Sequence, residues 1–263
     1  MARTTSGDVL QRFRVSPRTQ EIYTNWKSDQ RRADVAPVVM AHETRLVYEL
    51  TIADVEAVCR RTEHALGQVR RSDGERVAAI VDWHPNFAFT HMFHVCMERM
   101  QRLPAYQDFR SYADRDSLGR HMLGNPARAK VREVVGRGIP EPLVRDAMRW
   151  RVGNAYYSFL REVYTVVQLR SMGIDLRVHP LADALFRVDA WVDDKVVSLR
   201  VGNKKFRQGG ETGRKMPPER LLEDVEPPFK FDTIELSPAT KFGAVHLPSP
   251  EHIAGAAARL SEG

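Results

Sequence analysis

His91, His94 and Glu98 lie three and four residues apart, a spacing that sets three metal-ligating side chains on one face of a helix, as zinc or iron requires. His84 stands just ahead of them in Trp83-His84-Pro85. The run lacks a His-Glu-x-x-His pattern and is interleaved with Phe87, Phe89 and Phe93, so packed or capping histidines are the competing reading. A second concentration of chemistry is the Gly-rich segment 202–218. Lys204, Lys205, Arg207, Arg214 and Lys215 make it a basic loop, suited to gripping a phosphate backbone or to serving as a solvated connection. It is not a Walker-type loop, because Gly202-Asn203-Lys204-Lys205 lacks the preceding glycine and the following Ser or Thr.

Two acids stand out by the faces they occupy. In Arg187-Val188-Asp189-Ala190-Trp191, strand alternation sends Phe186, Val188, Ala190 and Val192 one way and Arg187, Asp189 and Trp191 the other. If Asp193-Asp194 makes a two-residue turn, the partner strand sends Val197, Leu199 and Val201 to the core and Ser198 and Arg200 to the side of Asp189. Glu162 comes three residues after Phe159 and four before Val166, at the edge of an apolar helix face. A surface ion pair of Asp189 with Arg187 or Arg200, and an ordinary solvated helix acid at 162, are the plain alternatives.

The elements that must position these residues follow from periodicity and punctuation. Apolar residues at helical spacing predict a helix over 86–102, and a long helix over 142–172 with a break at Gly153. Strands are expected at 174–179, 185–192, 196–201 and 233–236. Residues 103–142, rich in Pro, Gly, Asp and Arg, read as connecting loops or short helices. Thr51 and Asp54 form a variant capping box ahead of Val55, Val58 and Cys59. Residues 1–36 are polar and Arg-rich and suit an arm or an irregular first helix.

In its order of helix, strand and two-stranded ribbon around a lone acid, the stretch 156–205 (YYSFLREVYTVVQLRSMGIDLRVHPLADALFRVDAWVDDKVVSLRVGNKK) resembles the core of the PD-(D/E)XK, or restriction-endonuclease-like, superfamily. The resemblance implies an α/β fold: a restriction-endonuclease-like mixed sheet flanked by helices over 151–263, after a mainly helical N-terminal region over 1–150. It implies that Glu162 is the acid of the first core helix and Asp189 that of the second core strand. The two would hold magnesium (Mg2+), with the Leu199 carbonyl completing its shell, and Arg200 would stabilise charge on a phosphate. The acid-x-Lys triplet of the family is replaced here by Ser198-Leu199-Arg200. Arginine cannot deprotonate to act as a base, so the implied nuclease is either altered or reduced to a DNA-binding surface. Lys204, Lys205, Glu211 and Lys215 are near enough in sequence to supply the missing group.

Composition suits a nucleic-acid partner, with codon bias toward arginine as the plain alternative. The formal charge is +6, and 32 of the 40 basic residues are arginine, whose planar fork suits phosphates and bases. With 43% apolar and 28% charged residues the chain reads as globular rather than fibrous or disordered. No apolar run approaches the roughly 20 residues of a membrane span. Residues 1–15 contain no apolar stretch of signal-peptide type, and two cysteines without Cys-x-x-Cys spacing are too few for a disulfide scaffold. A cytoplasmic protein is therefore expected, acting on DNA with or without hydrolysis; protein partners and homo-oligomers stay open. A metal enzyme built on the His91 helix is the third reading.

Overall fold

The computed structural model describes residues 2–200, 216–235, 238–242 and 245–262. It is mixed α/β, 62% helical with small sheets. Among the described residues no helix is long and apolar enough to cross a membrane. Two compact units are formed: Met1–Ile52 with Glu162–Thr240 and His246–Gly263, and Ala53–Arg161 with Lys241–Val245.

In the first unit the N-terminal segment is an ordered pair of helices. Ser6–Phe13 starts at a reciprocal cap between Thr5 and Asp8, and Pro17–Ser28 starts at Ser16 with proline at its first turn. The first helix is amphipathic and buries Val9 and Phe13 completely. Phe13 lies 5.6 Å from Phe186 and 5.4 Å, edge-on, from Trp191, so of the two alternatives for this segment, an arm or a first helix, the helix is found, packed on the hydrophobic side of the sheet region.

That sheet has three strands. Ala190–Val192 and Lys195–Arg200 form an antiparallel hairpin, paired Ala190 to Val197 and Val192 to Lys195, with Asp193-Asp194 as the expected two-residue turn and Asp193 at φ +46°. Lys230–Glu235 adds in parallel to Lys195–Arg200, from Lys195 opposite Lys230 to Arg200 opposite Glu235. The strand expected at 233–236 is thus present, and begins three residues earlier.

Two expected strands are revised. Residues 174–179 make only one bridge, Arg177 with Trp191, because His179 immediately caps a new helix by accepting from the Leu181 N–H at 3.0 Å. Leu185 and Phe186 are the last turn of that helix, Pro180–Phe186. Arg187 ends it in the left-handed region at φ +60°, with the Val188 N–H returning to the Ala182 carbonyl at 3.3 Å and the Arg187 N–H to Asp183 at 3.2 Å. The alternation of Phe186 and Val188 with polar neighbours therefore comes from a helix end and its reversal, not from pleat.

The second unit is helical. Its elements include Ile52–Arg61, Phe89–Met100, Tyr106–Arg115, Asn125–Gly136 and residues 141–161 of the Glu141–Ser171 helix. Of the two alternatives for residues 103–142, connecting loops or short helices, the helices are found, Tyr106–Arg115 with 10 residues and Asn125–Gly136 with 12. In Tyr106–Arg115 the buried positions Tyr106, Phe109, Tyr112 and Ala113 recur at helical spacing and outweigh the breaker composition around them. Phe93 is the centre of one core cluster, 4.3 Å from Phe109 and stacked on Phe159 at 4.8 Å. Gly153 does not break its helix. A Cβ there would stand 3.0 Å from backbone atoms of Ala65, so glycine marks a close backbone approach.

Candidate functional site

The expected acids converge in the first unit. Asp189 is half-buried just ahead of the hairpin, and its Oδ2 accepts the Leu199 N–H at 2.7 Å across the two strands. Continuing the hairpin register by one step sets Asp189 opposite Ser198, on the face it shares with Arg200. Glu162, half-buried on the Glu141–Ser171 helix, bears on Asp189 electrostatically, and so does Asp183 from the Pro180–Phe186 helix. Burial holds the Asp189 carboxyl well above the usual carboxylate range, and the neighbouring Asp183 charge adds to the rise. The Leu199 N–H opposes it, Glu162 raises it further, and the attraction of exposed Arg200 is the weakest of these effects. Burial, reinforced by the neighbouring carboxylates, outweighs the attraction of Arg200 at this site.

Asp183 is the member that sequence reading missed. Its signal was local: Pro180 at the first turn after His179 announces a helix, and an acid in that first turn suits the positive helix end. The reversal at Arg187 then turns the chain from the helix that carries Asp183 into the segment that carries Asp189.

The hairpin strand differs from simple in-and-out alternation. Val196, Val197 and Ser198 are all buried, Leu199 is half-buried and Arg200 exposed, so Ser198 is not on an open polar face and Leu199 is not fully in the core. Lys195 is buried as well. Its ammonium donates to the carbonyls of Arg259 at 3.2 Å and Leu260 at 2.8 Å, and to that of Glu262, closing the C-terminal end of the Pro250–Ser261 helix. The lysine of this strand is therefore committed to a helix end.

The histidine group lies in the second unit. His91 and His94 are buried on the Phe89–Met100 helix, with His94 edge-on to Phe159 at 5.6 Å, while Glu98 is half-buried and His84 exposed. Cys59 and Cys96 are free and buried, and burial pushes both thiols up to about 12, far from nucleophilic thiolates at neutral pH. Cys96 packs 3.6 Å from the Met100 sulfur as a small hydrophobe. Among the described residues no group of three or more His, Cys, Asp or Glu side chains is placed to hold a metal ion. Magnesium asks less of a protein, one or two carboxylates with water and substrate phosphate making up the rest, so Glu162 and Asp189 fit its chemistry as a pair. Lys204, Lys205, Arg207, Glu211, Arg214 and Lys215 lie outside the described residues. No protein-family model, curated protein or solved structure matches this chain.

Proposed function

We propose that residues 151–263 form a restriction-endonuclease-like module and that the chain is a cytoplasmic, DNA-acting protein whose acidic site, Glu162 and Asp189, holds magnesium for phosphodiester hydrolysis. The observation that carries this reading is the setting of Asp189, which is desolvated, has the Asp183 and Glu162 charges raising the cost of its own, and gains only weak relief from Arg200. A cation relieves such repulsion, and bound magnesium supplies an activated water and neutralises charge on the phosphate. The chain's own part is to hold the Asp189 carboxylate in place through the Leu199 N–H and to present Arg200 to the phosphate. Arg200 is exposed at the strand end and, among the described residues, does not make the buried contacts that occupy Lys195.

One observation favours a second reading, a DNA-binding or assembly protein with a degenerate site. Ser198 and Arg200 replace an acid and a lysine, and Lys195 closes a helix end, so Lys195–Arg200 offers no proton-accepting amine to the site. The deciding experiment incubates the full chain with supercoiled and linear DNA in magnesium, in manganese and in chelator. Metal-dependent cleavage that disappears in Asp189→Ala supports hydrolysis. Cleavage that survives chelation or the substitution removes Asp189 from the mechanism, and metal-independent binding with no cleavage favours the second reading.

A further inference from the structure

The second unit carries a groove of about 870 Å³ that is open to solvent and built from three helices. Its floor follows one stripe of the Asn125–Gly136 helix, Ala127, Val131 and Val135, with Leu123 one turn ahead; Met148 and Val152 of the Glu141–Ser171 helix complete it. From Leu123 to Val135 the stripe runs about 18 Å at the helical rise of 1.5 Å per residue. The inner sides of Ala127, Val131, Val135 and Val152 pack against the core formed by Val134, Val144 and Ala147, which leaves their outer sides as the groove surface.

The rim is cationic. Arg110, Arg128, Arg132, Arg145 and Arg149 come from all three helices, against the two lining carboxylates Asp114 and Glu141. Three of the five are paired, Arg110 with Glu63 at 3.4 Å, Arg128 with Asp114 at 3.0 Å and Arg145 with Glu141 at 2.6 Å, so the charge that the rim offers is that of Arg132 and Arg149. Arg149 is steadied by neutral acceptors, the carbonyls of Ala65 at 3.1 Å and His64 at 3.3 Å, so these bonds position its guanidinium without cancelling the charge. Arg132 is exposed and, among the described residues, enters no ion pair.

Three occupants can be weighed against this surface. Bases of a single-stranded nucleic acid need aromatic faces to stack on, whereas the aromatic lining residues Tyr106 and Phe109 are buried and the exposed floor is aliphatic. A small amphiphile needs most of its surface enclosed, about 70–90% in well-formed sites, and this groove is open. An amphipathic helix needs one apolar face covered and the other left in water, and about 12 residues of it span 18 Å. We propose that the groove docks an acidic amphipathic helix of a partner protein, its apolar stripe on Val131, Val135 and Val152 and its flanking carboxylates against Arg132 and Arg149. This inference is independent of the hydrolytic reading of the first unit.

The test uses the full chain and two fluorescein-labelled peptides of about 16 residues with the same leucine stripe, one flanked by glutamates and one by lysines. Fluorescence anisotropy should show saturable binding of the glutamate peptide, weakening with salt, and none of the lysine peptide. Arg132→Glu, an exposed change that leaves the core alone, should weaken that binding about tenfold or more. Val131→Asp should abolish it, with circular dichroism checking that the fold is retained. The proposal is overturned if the glutamate peptide does not saturate, if both peptides bind alike, or if Arg132→Glu has no effect. Displacement of the peptide by decanoate or by short duplex DNA at stoichiometric concentration would likewise reassign the groove, to a small amphiphile or to nucleic acid.

Discussion

The Asp189 carboxylate is tied to the backbone of Leu199 by a 2.7 Å hydrogen bond that crosses the hairpin. This bond orients the acid from its own sheet while the repulsive charges, Asp183 and Glu162, come from two separate helices. An acid held in place where its charge is unwelcome is an arrangement that costs stability, and such costs are common at binding and catalytic sites.

The sign of that cost is testable. A carboxyl whose folded-state pKa is raised favours the protonated form, so the associated stability is complete below the ordinary value of 3.8 and is lost as pH rises through the raised value. Asp189→Asn removes the charge and keeps an oxygen for the Leu199 N–H. At pH 7–8 the variant should be more stable than the parent by about 1 kcal/mol, a rise of roughly 2–4 °C in Tm, with the difference shrinking toward pH 4. A structural ion pair with Arg200 requires the opposite sign, a lower Tm in Asp189→Asn at neutral pH. The same variant should lose metal-dependent cleavage.

Lys195 offers a control for structure without function. Replacing it with methionine retains length and apolar stem but leaves the carbonyls of Arg259 and Leu260 without their buried donor. The expected cost is about 1–3 kcal/mol by denaturant unfolding, with amide exchange rising first in the Pro250–Ser261 helix. Exchange that is unchanged there would show that water satisfies these carbonyls equally well.

Gly153 sets two effects against each other. Helix propensity favours alanine by about 1 kcal/mol in the middle of Glu141–Ser171. The added Cβ, however, would meet backbone atoms of Ala65 at 3.0 Å and the Leu66 Cδ2 at 2.8 Å, and the backbone has little room to yield. Packing should win, so that Gly153→Ala destabilises by about 1–2 kcal/mol in spite of the propensity gain. Thermal melting of the variant above the parent would mean that the neighbouring segment shifts freely.

For the basic segment the prediction rests on charge alone. Lys204→Ala, Lys205→Ala and Arg207→Ala together should weaken DNA binding across all sequences. Each phosphate that the variant no longer neutralises should reduce the log-log salt slope by roughly 0.9 on duplex DNA. Parent-like affinity and salt dependence in filter binding or anisotropy would assign these residues to a solvated connection.

Local periodicity makes several elements legible in the amino-acid sequence. Apolar residues at helical spacing mark Phe89–Met100 and Glu141–Ser171, and Asp193-Asp194 between two apolar runs marks the hairpin. These are regularities of neighbouring residues, and they put Asp189 beside a turn and Glu162 on a helix. What depends on distant residues is decided by tertiary packing. The N-terminal helix is ordered because Phe13 has Phe186 and Trp191 to pack against, and Tyr106–Arg115 forms among loop-like residues because Phe109 has Phe93. The repulsion at Asp189 belongs to the same class, since it needs Asp183 and Glu162 brought alongside from other helices. The burial of Lys195 is of the same kind, since it needs the end of the Pro250–Ser261 helix laid over its ammonium. Spacing along a chain determines which face a side chain takes on its own element; which charges and carbonyls that face meets is determined only when burial closes the fold around it.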